Sequence, residues 1–420
     1  MPQRHDPYAA FRVPGYRHYV FGWLIALFTY RMQAVAVGWE MYERTGRPLA
    51  LGLVGLVQAL PLIALALPAG YLADRFDRRR VLMGSLAGMA AASLGLAAVS
   101  QLDGPVPLVY AFLFLDAAAL SLGRPARMSL LPQLVPREVF PNAVTWNMSM
   151  WQVVSVIGPA VGGFLVSLNA SIAYLLAAAG SAAYAILLAR VEIRRSAPET
   201  TPLSRETALA GLRFVRRSRA LLAAITLDML AVLLGGATYL LPIYASDILK
   251  VGVQGFGWLN AAPAAGALVT ALALAHRPPL RHAGRDLLLS VAGFGAATIV
   301  FGFSKSFPLS IAMLFLTGAL DNVSVVIRHT LIQLMTPDRM RGRVSAVNGV
   351  FISVSNELGG FESGMVADLF GPVASVVSGG VGTLVVVSAV ATASPELRAV
   401  GDLRKTQVAE DGDGARLDDG

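Results

Sequence analysis

Twelve stretches of 18 to 25 mostly apolar residues follow one another along the chain, separated by short breaks that contain charged residues, Gly or Pro. Each stretch is long enough to cross the roughly 30 Å hydrocarbon core of a bilayer as an α-helix. Only 14% of the residues are charged, whereas a soluble domain carries about 25%. We therefore predict an all-α integral membrane protein with twelve transmembrane helices. The stretches are 19–42, 50–72, 81–101, 107–126, 144–168, 172–189, 221–243, 255–275, 286–303, 308–327, 345–369 and 373–393.

The basic residues alternate between the connections. Of the 34 Lys and Arg residues, 29 lie in the two chain ends and in every second connection, four lie in the other connections, and Arg31 lies within the first stretch. The positive-inside rule predicts that both termini and the basic connections face the cytoplasm. The net charge of +8 is thus interpreted as membrane topology, not nucleic-acid binding. We expect a multi-pass protein of a bacterial inner (plasma) membrane, surrounded by lipid and monomeric.

The two halves of the chain repeat one another. At an offset of 201 residues Arg127, Gly158 and Gly163 match Arg328, Gly359 and Gly364, and at an offset of 202 Gln58 pairs with Asn260. Such repeats are typical of secondary transporters, which bind substrate where the repeats meet. We predict two pseudo-symmetric six-helix bundles. The predicted segments are a cytoplasmic N-terminus (1–18), the two bundles (19–190 and 221–393), a cytoplasmic linker with an amphipathic helix (191–220) and a disordered cytoplasmic tail (394–420).

Several kinds of chemistry are excluded by residues that the chain lacks. It has no Cys, its five His are scattered, and no phosphate-binding loop of the form GxxxxGK[ST] occurs. Disulfides, thiolate sites, the His spacing of a zinc protease and ATP hydrolysis by this chain alone are therefore not expected. We predict a protein that is not an enzyme, has no cofactor and no metal site, and takes a small-molecule substrate.

The connection between the second and third stretches has the sequence GYLADRFDRRR, residues 70–80. It resembles the cytoplasmic loop motif of the major facilitator superfamily. The resemblance implies a conformational latch in which arginines pair with acids across the bundle interface and hold the cytoplasmic side closed. Asp77 stands where the family usually has Gly, and we expect it to accommodate a left-handed turn. The latch residues are Gly70, Asp74, Arg75, Arg78 and Arg79.

A second motif lies in the fifth stretch, where Gly158, Pro159, Gly162 and Gly163 resemble the end of the superfamily's antiporter motif. Two upstream glycines of that motif are replaced. Close helix packing alone is the alternative explanation. The family packs its fifth and eighth helices together, and the small residues of 261–266 are expected to provide the matching face.

Two further segments, 39–55 and 131–143, resemble the enterobactin-exporter-like, transmembrane secretion effector branch of the superfamily. This resemblance covers about residues 10–393. It implies export of siderophores, macrolides or other amphipathic, drug-like compounds, driven by protons.

Six ionisable residues lie inside the apolar stretches, where a charge is costly and indicates function. The family's helices 1, 4, 7 and 10 line its central cavity, and four of the six lie on those helices. Arg31 and Asp116 lie at similar depths, about 16 and 12 Å from the outer ends of their helices, which predicts an intramembrane ion pair. The six are Arg31, Asp116, Asp228, Asp321, Glu357 and Glu362.

Proton coupling requires an acid that can be neutralised. Burial without a partner disfavours the charged form of an acid. Asp228 and Asp321 have no evident basic neighbour in the sequence, so we prefer one of them as the coupling residue. Their carboxyl groups could alternatively be satisfied by helix hydroxyls or water. Asp116, Glu357 and Glu362 are weaker candidates.

The sequence therefore predicts a proton-coupled exporter that works by alternating access. An importer of a small metabolite remains the alternative within transport, and Asn260 and Trp258 keep it open. A membrane receptor or scaffold that binds without transporting is the alternative from another class.

Overall fold

A computed structural model describes residues 6–191, 212–276 and 282–401, which are almost entirely helical and contain no strand. Twelve long helices follow one another in this part of the chain. They are α1 (Pro14–Thr45), α2 (Pro48–Ala64, continued after a 48° bend by Ala66–Arg75), α3 (Arg78–Gln101), α4 (Val106–Leu134), α5 (Phe140–Leu168), α6 (Ala170–Ala189), α7 (Arg219–Leu234, continued by short helical segments to Ile248), α8 (Gly252–Ala275), α9 (Ala283–Phe303), α10 (Phe307–Met335), α11 (Asp338–Phe370) and α12 (Pro372–Ala393).

Eleven of these helices are long and apolar enough to cross a membrane, ten as single helices and α2 when its two parts are taken together. The remaining one, α11, has 33 residues, which is ample length for a crossing. It is more polar because it carries Arg341 and Arg343 near its start and Glu357 and Glu362 further along. The predicted all-α transmembrane architecture is confirmed.

The helices form two bundles that repeat the same packing. In the first bundle α1 packs on α5 and α6, α3 on α4 and α6, and α2 on α4. In the second, α7 packs on α11 and α12, α9 on α10 and α12, and α8 on α10. Each contact in one bundle corresponds to a contact in the other when six is added to the helix number. The sequence repeat is therefore expressed as a structural repeat.

The bundles meet through two equivalent helix pairs, α2 with α11 and α5 with α8. A Cβ added to Gly52 of α2 would lie 3.0 Å from Gly364 Cα of α11, and one added to Gly163 of α5 would lie 2.8 Å from Gly257 Cα of α8. We call the side where α1 begins and α12 ends the terminal side, and the opposite side the distal side. All four glycines lie within seven residues of the distal ends of their helices, so the bundles are closed against each other on the distal side.

Several predicted boundaries differ from the structure. Helices α4 and α10 continue well past 126 and 327, to Leu134 and Met335, because a helix that leaves the bilayer core can continue into the polar region. Arg127 and Arg328 are therefore helix residues, although the sequence placed them in loops.

The segment after α12 was predicted to be disordered, but residues 394–401 pack on the molecule. Leu397 is fully buried, the backbone N–H of Gly284 donates to the carbonyl oxygen of Val400 over 3.1 Å, and Arg219 pairs with Glu396 over 3.1 Å. The buried side chain of Leu397 and these two polar contacts thus hold residues 394–401 against the helices. Residues 402–420 and most of the predicted amphipathic linker helix lie outside the described residues. The described part of the linker is helical over residues 212–217.

Candidate substrate-translocation site

A cavity of about 510 Å³ lies between the bundles, within the size range of small-molecule sites. Its walls come from α1, α2 and α5 of the first bundle and from α7, α8 and α10 of the second. The expectation that α4 lines the cavity is wrong, because no residue of α4 reaches it. The polar lining residues are Arg31, Gln58, Gln152, Ser155, Thr238, Tyr239, Asn260, Asp321 and Asn322.

Arg31 brings a positive charge to this cavity. Its guanidinium lies 5.8 Å from the ring centroid of Trp151, and its Nη2 donates to Ser155 Oγ over 3.4 Å. Its buried Nε has no hydrogen-bond partner. No carboxylate of the described residues forms an ion pair with Arg31, so its charge is contacted by an aromatic face and a hydroxyl instead of an acid.

The predicted pair of Arg31 and Asp116 is absent. Asp116 is buried inside the first bundle, where its Oδ2 accepts from Gln33 Nε2 over 3.3 Å. Gln33 Oε1 in turn accepts from Ser93 Oγ over 2.7 Å. Residues two apart on a helix point about 200° away from each other. The rotation of α1 that directs Gln33 toward Asp116 therefore directs Arg31 toward the cavity. Arg31 therefore lies at the expected depth on α1 but points in a direction that counting along the helix does not give.

Asp321 lies in the middle of α10 and lines the cavity beside Asn322. Within the described residues its carboxylate has no hydrogen-bond or ion-pair partner. The repeated amides Gln58 and Asn260 line the same cavity, one from each bundle. The cavity therefore holds one free carboxylate, one cation without an acidic partner and several amides between apolar walls.

Asp228 was expected to lack a basic neighbour, and this expectation is wrong. Its Oδ1 forms an ion pair with Nη1 of Arg328 in α10, and the two side chains are 7% and 1% exposed. The sequence hides the pair because Arg328 lies 100 residues further along and was taken for a loop residue. The one available signal was the sequence match of Arg328 with Arg127. In the structure Arg127 also lies against the first helix of its bundle, 5.2 Å from the ring centroid of Trp23.

The two acids of α11 lie near the interface with α2. Glu357 Oε2 accepts from the hydroxyl of Tyr239, a cavity residue of α7. A Cβ added to Gly55 of α2 would lie 2.5 Å from the carbonyl oxygen of Glu357. Glu362 accepts from Ser363 Oγ over 3.3 Å. Neither acid lines the cavity directly.

The latch motif engages its own bundle. Arg75 bonds to Tyr71, while Arg78 and Arg79 donate to the carbonyl oxygens of Ser129 and Val191 over 3.5 and 3.1 Å. Gly70 is buried, and Asp74 has no bonding partner among the described residues. None of these bonds reaches the second bundle. The latch motif lies on the terminal side, whereas the close contacts between the bundles lie on the distal side.

Asp77, the departure from the loop motif, adopts φ −59°, so the expected left-handed turn is not formed. Its carboxylate instead accepts the backbone N–H of Arg80 over 2.9 Å. Asp77 is thus the N-cap of α3, a position that Asp favours.

The antiporter-like motif serves two packing contacts. Gly158 and Gly162 allow α5 to approach α1, since added Cβ atoms would lie 2.7 Å from Arg31 Cβ and 3.0 Å from Met32 Cα. On the other face, Gly163 meets Gly257 of α8, and a Cβ added to Gly257 would lie 2.8 Å from the carbonyl oxygen of Pro159. The fifth and eighth helices therefore pack as the resemblance implies.

The predicted small face of α8 has a different partner. Pro263 and Gly266 pack against α10, on Gly318 and on the carbonyl oxygen of Phe315. The contact with α5 lies nearer the distal end of α8, at Gly257. Small residues in a sequence thus predict a close contact but not the helix that makes it.

A buried polar cluster on the distal side was missed by the sequence analysis. Glu40 of α1 accepts from Tyr174 of α6 over 2.7 Å and pairs with Arg44 over 2.6 Å. Arg44 also donates to the carbonyl oxygen of Gly104 over 2.9 Å. The four-residue spacing of Glu40 and Arg44 was the available signal.

Two duplicated six-helix bundles around a central polar cavity define a secondary transporter of the major facilitator fold. Solved transporters confirm this fold. A bacterial homolog of the human lysosomal transporter Spinster, in an inward-facing and unoccupied conformation, is similar with a TM-score of 0.74 and 15% identity, covering 97% of this chain and 100% of that one. The nucleoside transporter NupG is similar with a TM-score of 0.71 and 12% identity, covering 90% of this chain and 99% of its own.

The chain belongs to the transmembrane secretion effector family, whose model matches residues 5–409. Curated relatives include the enterobactin exporter EntS of Shigella boydii serotype 18 and that of Escherichia coli O1:K1. Each is 27% identical over 378 residues, which is 89% of this chain and 90% of the relative. The protein is a multi-pass membrane transporter and not an enzyme.

Proposed function

We propose that this transporter exports a small amphipathic molecule, such as a siderophore, a macrolide or another drug-like compound, by alternating access coupled to protons. The similarity to enterobactin exporters over 89% of the chain supports the direction of transport. The distribution of Lys and Arg supports a cytoplasmic terminal side. The described conformation is then closed on the side away from the cytoplasm.

The observation that carries the coupling proposal is the free carboxylate of Asp321 in the central cavity. The other central acids are engaged: Asp228 by Arg328, Asp116 by Gln33 and Glu357 by Tyr239. Burial disfavours a charge that no partner stabilises. Asp321 is the one of these acids that lines the central cavity, and we assign it the coupling role in preference to Asp228.

The substrate would bind among groups of mixed character. Arg31 and Trp151 offer a cation beside an aromatic face, Gln58 and Asn260 offer amides, and Phe256 adds an apolar wall. An amphipathic molecule matches such a lining because its polar groups find donors and its apolar surface is removed from water. A proton on Asp321 would remove the cavity's negative charge, so protonation and substrate binding would influence each other through the same site.

A flux assay tests both parts of this proposal. Purified protein is reconstituted in liposomes, and transport of enterobactin and a macrolide panel is measured with and without an imposed pH gradient. We expect gradient-driven efflux from the wild type and its loss in Asp321→Asn. Asp103→Asn is the matched control, because Asp103 is an exposed carboxylate with a positive φ of 48° that Asn also adopts readily.

Any other result of the flux assay contradicts one part of the proposed function. Uptake with the proton gradient would favour a metabolite importer, and binding without flux would favour a receptor or scaffold. Full gradient dependence in Asp321→Asn would remove Asp321 from the coupling mechanism.

A further inference from the structure

A second cavity, of about 560 Å³, forms a groove between α3, α4 and the end of α2. It is separate from the central cavity and shares none of its lining residues. Gly84 and Leu115 on its rim are exposed, so the groove opens on the surface of the first bundle. Its lining on α3 runs from Arg80 to Ala92, about 18 Å at 1.5 Å per residue. That length is close to one leaflet of a roughly 30 Å hydrocarbon core.

The interior of the groove is apolar. Its lining residues are Leu72, Arg80, Val81, Gly84, Ser85, Gly88, Ala91, Ala92, Phe112, Leu115, Ala119 and Leu122. The hydroxyl of Ser85 donates to the carbonyl oxygen of Ala119 over 2.7 Å, so its proton is not available to a ligand. The interior therefore suits hydrocarbon better than a polar molecule.

Arg80 is the charged residue of this lining and lies at the terminal-side mouth of the groove. Asp77, three residues away, accepts the backbone N–H of Arg80, while the guanidinium contacts no polar group of the described residues. An exposed cation thus lies at the end of an apolar groove. This is the charge pattern that complements an anionic headgroup joined to an acyl chain.

The second half of the chain provides an internal comparison. At an offset of 205 residues Arg80 and Gly88 correspond to Arg285 and Gly293, but Gly84 corresponds to Leu289. At an offset of 201, Ala119 corresponds to Leu320. A Cβ added to Gly293 would lie 2.9 Å from Leu320 Cδ1, whereas one added to Gly88 would meet only the smaller side chain of Ala119, 3.1 Å from its Cβ. The groove therefore exists because the first half has small residues where the second half has leucines.

We propose that this groove binds an anionic phospholipid, with one acyl chain between α3 and α4 and the phosphate on Arg80. The spacing of Gly84 and Gly88 also occurs where transmembrane helices associate. A lipid fits better because a docked helix would leave the guanidinium of Arg80 without an anion. The terminal side faces the leaflet that we expect to be cytoplasmic, and the anionic lipids of that leaflet attract basic residues.

Native mass spectrometry of the full chain, released from micelles with phosphatidylglycerol or with zwitterionic phosphatidylcholine, tests this proposal. We expect one phosphatidylglycerol to remain bound under activation that removes phosphatidylcholine. Arg80→Gln should lower the phosphatidylglycerol affinity about tenfold, as expected for the loss of a charge-assisted contact. Gly84→Leu, which reproduces the second half, should prevent retention of either lipid.

The controls separate lipid binding from misfolding and from transport. A Cβ added at Gly84 or at Gly342 meets no atom within 4 Å. Gly342→Leu is therefore a matched substitution on α11, a helix that does not line the groove, and should retain the lipid. Equal retention of the two lipids by the wild type, or retention of phosphatidylglycerol by both Arg80→Gln and Gly84→Leu, would overturn the proposal. A dimer mass in the wild type that is lost in Gly84→Leu would also overturn it, because the groove would then bind a second copy of the chain. Because the groove and the central cavity share no residue, none of these results depends on the export assay.

Discussion

The carboxylate of Asp228 in α7 is held by the guanidinium of Arg328 in α10, and both side chains are almost completely buried. Removing one partner of such a pair leaves an uncompensated charge. We expect Arg328→Gln to lower the free energy of unfolding by about 3–5 kcal/mol, measured by chemical unfolding in mixed micelles. The double variant Asp228→Asn/Arg328→Gln should lose less than the sum of the single variants. Additive losses would show that the two side chains do not interact.

A second prediction concerns the amide contact that replaces the expected ion pair in the first bundle. Because Asp116 bonds to Gln33 and not to Arg31, Gln33→Ala and Asp116→Ala should be coupled in a double-mutant cycle by at least about 0.5 kcal/mol. Arg31→Ala and Asp116→Ala should be additive within about 0.5 kcal/mol. Unfolding of the wild type, the three single variants and the two double variants measures both cycles. Strong coupling of Asp116 to Arg31, with none to Gln33, would instead support the ion pair that the sequence predicted.

A third prediction concerns the closed distal side. Gly163→Val would push a side chain against Gly257, since even a Cβ would lie 2.8 Å from its Cα. We expect the bundles to separate there, which lengthens the distance between spin labels on Cys introduced at Asp103 and Lys305. The chain has no Cys of its own, so labelling is specific. Gly342→Val, where a Cβ meets no atom within 4 Å, is the control and should leave the distance unchanged, whereas an unchanged distance in Gly163→Val would argue against this interface.

A fourth prediction concerns sidedness. Single Cys residues at Asp103 and Lys305 lie in connections on the distal side, and single Cys residues at Arg137 and Glu396 lie on the terminal side. If the terminal side is cytoplasmic, a membrane-impermeant thiol reagent should label only the first two in intact cells. All four should react once the membrane is opened. Labelling of Arg137→Cys in sealed cells would contradict the predicted topology.

The architecture could be predicted because it depends on one-dimensional patterns. Hydrophobic length determines how many times a chain can cross a bilayer, and the offset matches, such as Gly163 with Gly364, indicated the duplication. Both glycines lie in equivalent interfaces, α5 with α8 and α11 with α2. The ionic contacts were less predictable. Arg31, Asp116 and Asp228 were recognised as buried charges, but the predicted pair was absent and the pair of Asp228 with Arg328 was missed.

The order of residues along the chain was enough to predict the membrane-spanning class, the repeat and the set of ionisable residues that a bilayer makes costly. The direction in which each of those side chains points depends on how the helices pack. A residue's depth follows from counting along a helix, but its azimuth depends on how that helix is rotated against its neighbours. That rotation turned Arg31 and Asp321 toward the central cavity and Asp116 into the bundle. Which acid lines the central cavity therefore follows from packing, not from spacing.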